Sequence, residues 1–182
     1  MDSLRGQLLV AGPSLIDPNF WRTVVLIVDH GEEGAFGLVL NRPSETTVGE
    51  AVPELETLVD PDEPLFIGGP VQPSSVITLA RFSDVSEAAL HAFDDIGVVG
   101  TGGPSLDEQA ERVITARAYV GHSGWGAGQL DAEFERGDWF TEPALRADVF
   151  SPSTRELWSE VLTRKGGSYA LVARMPADPT LN

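Results

Sequence analysis

Residues 23–28 read Thr23-Val-Val-Leu-Ile-Val28, a continuous run of β-branched and aliphatic side chains. The turn Gly31-Glu-Glu-Gly34 follows, and Ala35-Phe-Gly-Leu-Val-Leu40 then returns as a second apolar run. Short apolar runs bounded by glycine are typical of buried strands. A loop of about four residues between two such runs predicts a β-hairpin.

Other short runs and capping signals surround this hairpin. Thr47, Ser105 and Ser153 each stand three residues before a glutamate, a capping-box pattern that predicts the start of a helix. The strands come in runs with short helices between them, which favours an α+β fold. Strands are predicted at 6–11, 65–67, 76–80, 96–99, 115–120, 139–140 and 169–173, and helical turns at 86–93, 107–112, 129–136 and after Ser153.

The composition is that of a globular protein. The chain has 182 residues, of which 42% are hydrophobic and 22% are charged. This length suits one domain over residues 1–182, with a core that buries roughly 70% of the unfolded surface. Residues 175–182 contain two prolines and are predicted to form a loose tail.

Charge and cysteine content exclude several classes of function. The sequence has 12 Lys and Arg against 28 Asp and Glu, a net charge of −16. Direct DNA binding is disfavoured, because such proteins neutralise phosphates with clustered cations. The absence of cysteine excludes disulfides and Cys-ligated metal centres, and it fits a cytoplasmic location. No signal peptide and no apolar run long enough to span a membrane is recognised.

The densest cluster of unusual residues is Gly-His-Ser-Gly-Trp-Gly-Ala-Gly-Gln at 121–129. It lacks the Lys-Ser/Thr pair of a Walker A loop, the third glycine of a dinucleotide fingerprint and the last glycine of a nucleophile elbow. One interpretation is a tight turn that lets Trp125 enter the core. The other is a ligand-binding loop that holds an anion at the following helix. The candidate ligand-binding residues here are Gly121, Ser123, Gly124, Trp125, Gly126 and Gly128.

A second candidate cluster involves the two ends of the hairpin. Arg22, Asn41 and Arg42 are predicted near one end of the strand pair, and His30 near the loop end. Paired arginines can bind an anion, and a histidine titrates near neutrality. The alternatives are salt bridges to an acidic body and a turn histidine that bonds loop carbonyls. The sequence contains no metal-binding motif and no cofactor motif.

Five groups of residues carry a family resemblance: 8–11 with Asp17, Pro18 and Phe20; 22–27; His30 with 34–43; 68–71; and 121–130 with Trp139. Together they resemble the AlgH/YqgE family, and they run in order through most of the chain. His122 departs from the family pattern, because a tyrosine is usual there. That departure weakens any role of His122 as a base.

The resemblance implies a compact α+β fold, in which a mixed, bifurcated sheet is folded into a pseudo-barrel with a few short flanking helices. It implies no settled activity and supplies no catalytic residues. Members are often described as transcriptional regulators, from a genetic link of one branch to alginate control. Since this chain carries a charge of −16, we expect any regulation to act through a protein partner or a small anionic ligand.

The sequence therefore leaves three functions open. The residues favour a non-enzymatic, cytoplasmic regulatory or binding protein. The alternative is a small serine hydrolase, with Ser123 as nucleophile and His30 or His122 as a base within ~2.6–3.2 Å. The third is a DNA-binding regulator, which the charge disfavours. Edge strands and exposed aromatic residues such as Trp21 also allow a homo-oligomer.

Overall fold

The computed structural model describes residues 2–177. Within that range a mixed β-sheet carries short helices on its flanks, which confirms the α+β class. The strands are β1 (Gln7–Ala11), β2 (Val24–Gly31), β3 (Gly34–Val39), β4 (Pro43–Thr47), β5 (Pro64–Ile67), β6 (Val71–Phe82), β7 (Leu90–Phe93), β8 (Ile96–Val98), β9 (Val113–Gly126) and β10 (Trp139–Pro143). The helices are α1 (Val48–Ala51), α2 (Leu106–Ala110), α3 (Gln129–Glu135), α4 (Arg146–Val149), α5 (Leu157–Lys165) and α6 (Tyr169–Val172).

The predicted hairpin is formed by β2 and β3 in the interior of the sheet. The two strands pair antiparallel with Leu26 opposite Leu38, and both residues are fully buried. The hydrogen-bonded path runs β10-β1-β2-β3-β9-β6-β8-β7. Alternate residues of β1 enter different apolar clusters, because successive side chains of a strand point to opposite faces. Leu8 packs in the cluster that includes α5, whereas Leu9 packs with Trp125.

The sheet branches at β9. β6 and β5 flank β9 at Tyr119, and β5 runs parallel to it and carries β4 alongside. β3 pairs with the end of β9, where Gly37 lies opposite Ser123. The far strand β7 contacts β2, and Gly6 packs against Phe93. β5 and β4 lie off the main hydrogen-bonded path, so the sheet is bifurcated. The path ends at β10 and β7 and does not join them, so the sheet stays open and is a pseudo-barrel, not a closed barrel.

The structure changes two predicted elements. Residues 169–172 form α6 rather than a closing strand, and the Tyr169 ring packs edge-on against Phe140 of β10 at 4.8 Å. Residues 86–93 contain the end of a short 3-10 turn, Val85–Glu87, and then strand β7. Both segments are short apolar runs, and periodicity alone does not separate helix from strand at that length.

The helix starts are partly as predicted. Thr47 and Ser105 make complete capping boxes, so those two predictions are confirmed. The helix predicted after Ser153 is present as α5, but the capping box is not: α5 begins at Leu157, and the residue before it, Glu156, makes no side-chain capping bond. Residues 175–177 are in neither helix nor strand, and the remainder of the predicted tail, 178–182, lies outside the described residues.

Candidate functional site

The predicted site residues do not share one cavity. Some of them line three separate cavities, and the others lie in the protein between these cavities. His30, Gly126 and Gly128 line one cavity of about 340 Å³, which we call the His30 cavity. Arg22 lines a second of about 240 Å³, the Arg22 cavity, and Arg42 lines a third of about 290 Å³, the Arg42 cavity. The hairpin explains this separation. His30 stands beside its turn, whereas Arg22 and Arg42 lie beyond the other ends of β2 and β3.

The His30 cavity joins the hairpin turn to the junction of β9 with α3. His30 Nδ1 accepts a hydrogen bond from the Leu4 N–H at 2.9 Å. Two carboxylates, Glu32 and Asp131, line the cavity, and no lysine or arginine from residues 2–177 does. The described lining therefore lacks the positive charge that would attract an anion to residues 121–129, which we call the glycine-rich segment.

Asn41 fixes the backbone at the start of β2. Its Oδ1 accepts a hydrogen bond from the Val24 N–H, and its Nδ2 donates to the Arg22 carbonyl, both at 2.9 Å. Arg22 has a left-handed φ of 52°, a conformation that costs a non-glycine residue about 1–2 kcal/mol. Asn41 therefore acts on the site indirectly, by holding Arg22 in this conformation.

The Arg22 guanidinium is stacked against two tryptophans. Its Cζ lies 4.5 Å from the ring centroid of Trp158 and 5.3 Å from that of Trp21. Its Nη2 donates to the Met175 carbonyl at 2.5 Å, and its other N–H groups make no hydrogen bond within residues 2–177. Burial lowers the pKa of Arg22, but arginine stays protonated at neutral pH. The side chain is thus an oriented cation with unused donors.

Arg42 lies on the other side of the loop that contains Trp21. Its Nη2 donates to the Trp21 carbonyl at 2.5 Å, and burial lowers its pKa as well. The Arg42 cavity is also lined by Asn19 and by Ile67 at the end of β5. Trp21 therefore connects the two arginines, since its ring stacks on one and its carbonyl holds the other.

Neither Arg22 nor Arg42 is ion-paired with a carboxylate of residues 2–177. Three large apolar side chains next to them are exposed: Ile16 by 80%, Trp21 by 39% and Ile67 by 47%. We call these five residues the Arg22 face. Seven other arginines each pair with Asp or Glu: Arg5, Arg81, Arg112, Arg117, Arg136, Arg146 and Arg164.

The first part of the glycine-rich segment continues β9 and packs against the link between β5 and β6. A Cβ on Gly69 would overlap the His122 carbonyl, and a Cβ on Gly121, where φ is 69°, would overlap the Gly69 carbonyl. Ser123 is fully buried, and its hydroxyl donates to the Gly68 carbonyl at 3.1 Å. Gly121 and Ser123 thus hold two backbone segments together.

This geometry gives no support to the serine hydrolase. A nucleophilic serine needs a base within hydrogen-bond reach. Within residues 2–177, Ser123 bonds to a backbone carbonyl and to no histidine. His30 is bonded to Leu4 instead, and the His122 ring packs on Phe36 with 5.1 Å between the ring centroids.

Trp125 enters the core, as the first interpretation predicted, but the predicted tight turn is wrong, because residues 121–126 belong to strand β9. Trp125 is 6% exposed, and its ring lies 6.1 Å from that of Trp139. One carboxylate oxygen of Glu133 accepts both indole N–H groups, from Trp125 at 2.8 Å and from Trp139 at 2.7 Å. Sequence reasoning missed Glu133. The signal that points to it is its position four residues after Gln129, on one side of α3, where the two side chains bond at 3.0 Å.

The last glycines of the segment are exposed. A Cβ on Gly126 would meet no heavy atom within 4 Å, and one on Gly124 would make only ordinary contacts. The Gly126 N–H donates to Gln129 Oε1 at 3.1 Å. Gly128 has a φ of 73° at the start of α3, so of these three positions it alone needs a left-handed backbone.

No group of three or more His, Asp or Glu side chains within residues 2–177 is placed to hold a metal ion. No helix in the same range is long and apolar enough to cross a membrane.

Several known proteins are similar over nearly the whole chain. A UPF0301 protein from Thermobifida fusca is 44% identical over 190 residues, which cover 99% of this chain and 96% of the relative. A UPF0301 protein from Chlorobium limicola is 40% identical and covers 100% of this chain and 97% of its own length. These relatives belong to a family of uncharacterised proteins, so they assign no activity.

Two solved structures share the fold. The crystal structure of a Corynebacterium diphtheriae protein has a TM-score of 0.84 at 32% identity, over 92% of this chain and 90% of that one. The solution structure of the AlgH protein from Pseudomonas aeruginosa has a TM-score of 0.72 at 30% identity, over 97% and 96% of the two chains. The family model described as AlgH-like matches residues 8–170. This chain therefore belongs to the AlgH-like family, as the resemblance implied.

Proposed function

We propose that this protein is a non-enzymatic, cytoplasmic regulatory or binding protein that engages a protein partner or a small anionic ligand at the Arg22 face. One observation carries the proposal. Arg22 and Arg42 are joined through Trp21, yet neither forms an ion pair within residues 2–177. Each is held by a backbone carbonyl, which fixes the guanidinium without neutralising its charge.

The range of electrostatic forces favours a contact site over long-range attraction. The net charge of −16 repels anions at a distance, but salt screens exposed charges beyond ~8 Å under physiological conditions. At contact, each of the two guanidiniums offers paired N–H donors, which suit a carboxylate or a phosphate. An anionic group that reaches this face is therefore bound by local charge, whatever the net charge of the chain.

The exposed apolar residues favour a protein segment as the carrier of that anionic group. Burying apolar surface contributes roughly 25 cal/mol per Å², and Ile16, Trp21 and Ile67 all offer such surface beside the arginines. An acidic segment with apolar side chains would use both features, and a second copy of this acidic chain is one such partner. Duplex DNA is disfavoured, since its binding depends on neutralising many phosphates.

The test is a calorimetric titration of the full chain with citrate, as a small anion, and with a synthetic peptide of alternating Glu and Leu, as an acidic segment. We expect at least one probe to bind. Arg22→Gln and Arg42→Gln should each weaken that binding by at least about tenfold, because a hydrogen bond to a charged group contributes about 1.5–3 kcal/mol. Binding of the peptide alone would identify a protein segment as the source of the anion.

Arg155→Gln is the matched control, because Arg155 is exposed, carries the same charge and lies outside the Arg22 face. It should leave the affinity unchanged. If neither probe binds the folded wild-type protein, or if all three variants weaken binding equally, the proposal is wrong.

A further inference from the structure

The chain's own segment Met175–Ala177 lies on the Arg22 cavity. These three residues line the cavity together with Ile16, Trp21 and Trp158. The Met175 carbonyl accepts a hydrogen bond from Arg22 Nη2, across 153 positions of sequence. An internal group thus occupies one of the donors that the proposed function assigns to an external anion.

Few hydrogen bonds hold this segment to the rest of the protein. Within residues 2–177 it makes two hydrogen bonds: the Met175 N–H donates to Val172 at the end of α6, and the Met175 carbonyl accepts from Arg22. Pro176 has no N–H to donate. Met175 is 47% exposed although its side chain borders an apolar cavity. Such a segment opens at little cost in free energy compared with a buried strand or helix.

The Arg22 guanidinium is held by two tryptophan rings as well as by the Met175 carbonyl. Its ring stacking on Trp158 and Trp21 and the bond from Asn41 to its carbonyl involve no residue of the segment. The donors therefore stay oriented toward the cavity. A carboxylate brings an opposite charge and can accept two parallel N–H bonds from a guanidinium, whereas the Met175 carbonyl accepts one, so a carboxylate competes with the carbonyl for Arg22.

We propose that Met175–Ala177 is a displaceable cover of the Arg22 cavity, which competes with the anionic group of the ligand for Arg22. This inference rests on the proposed function, since it concerns the regulation of the same site. Loosening the cover should raise the affinity of the face for its ligand, and binding should release the segment.

The first test repeats the titrations with citrate and the Glu-Leu peptide on full-length Met175→Ser. This substitution removes the apolar contact of the cover and leaves Arg22 intact. We expect tighter binding of the probe that binds wild type, by roughly three- to tenfold. Leu171→Ser is the matched control: Leu171 is 68% exposed on α6 and does not line the cavity, so its loss should not change the affinity.

The second test observes the cover directly. In NMR spectra of the ¹⁵N-labelled full chain, the Ala177 amide signal should shift and sharpen when citrate or the peptide is added, and it should not respond in Arg22→Gln. The cover would be overturned if wild type and Met175→Ser bind the probe with equal affinity. It would also be overturned if the Ala177 signal does not change when a probe binds, and either result would leave the proposed function intact. If neither probe binds the folded wild-type protein, both the proposed function and the cover are overturned.

Discussion

At the residue scale, one oxygen of Glu133 accepts the indole N–H groups of both Trp125 and Trp139, and its other oxygen accepts from Gln129. A charged acceptor suits this position, because three donors converge on it. A glutamine there would turn an NH₂ group toward at least one of these donors, which would leave a polar group without a partner.

We therefore expect Glu133→Gln to destabilise the protein by about 2 kcal/mol, which lowers the Tm by roughly 4–8 °C in a chain of this length. Thermal unfolding followed by circular dichroism measures this. Glu135→Gln changes the same charge on an exposed position of α3 and should have little effect. A Tm for Glu133→Gln equal to that of the control would show that the carboxylate is not needed.

His122 gives a prediction about pH. Burial lowers its pKa below the ordinary value of 6.5, so the unfolded chain takes up this proton more readily than the folded protein. Folded stability should therefore fall as pH decreases through the ordinary histidine range, from about 7 toward 5. His122→Gln should reduce the loss of Tm over that interval, whereas His91→Gln, at an exposed position, serves as the control. An unchanged pH profile in His122→Gln would contradict the assignment.

At the scale of elements, β9 contains two glycines with opposite requirements. Gly121 has a left-handed φ and faces the Gly69 carbonyl, whereas Gly126 has an ordinary φ and open space around it. We expect Gly121→Ala to cost about 3 kcal/mol or more, through strain and overlap. Gly126→Ala should be neutral or stabilising by up to ~0.5 kcal/mol. Urea unfolding of the two variants compares them directly, and similar losses in both would disprove this description of the strand.

Some of these features could be predicted from the sequence alone, and others could not. The β2–β3 hairpin, two of the three capping boxes and the burial of Trp125 were predictable because their signals are local: apolar runs, turn glycines and residues three apart. The Arg22 cavity was not, because its partners Trp158 and Met175 lie more than a hundred positions away in the chain. The crossing of Gly69 and His122 depends likewise on tertiary contact, which no local pattern specifies.

At the scale of the whole molecule, the excess of 28 acidic over 12 basic side chains sets the response to salt. Exposed ion pairs contribute about 0–1 kcal/mol each, and salt weakens them, but it also screens the repulsion among the unpaired carboxylates. With 16 more acidic than basic groups, we expect the second effect to prevail, so the Tm should rise between about 0.01 and 0.3 M NaCl. A Tm that falls over this range would mean that the ion pairs dominate.

Within residues 2–177, Arg22 and Arg42 differ from the exposed Arg155 and Arg174, which also lack an ion pair, because each is held by a backbone carbonyl and so keeps an oriented charge. The most direct measurement is an NMR map of the ¹⁵N-labelled full chain titrated with citrate and with the Glu-Leu peptide. We predict that the largest shifts fall on the indole N–H groups of Trp21 and Trp158 and on the backbone amides of Arg22 and Arg42. Shifts centred on the His30 cavity, or none with either probe, would contradict a binding role for this face.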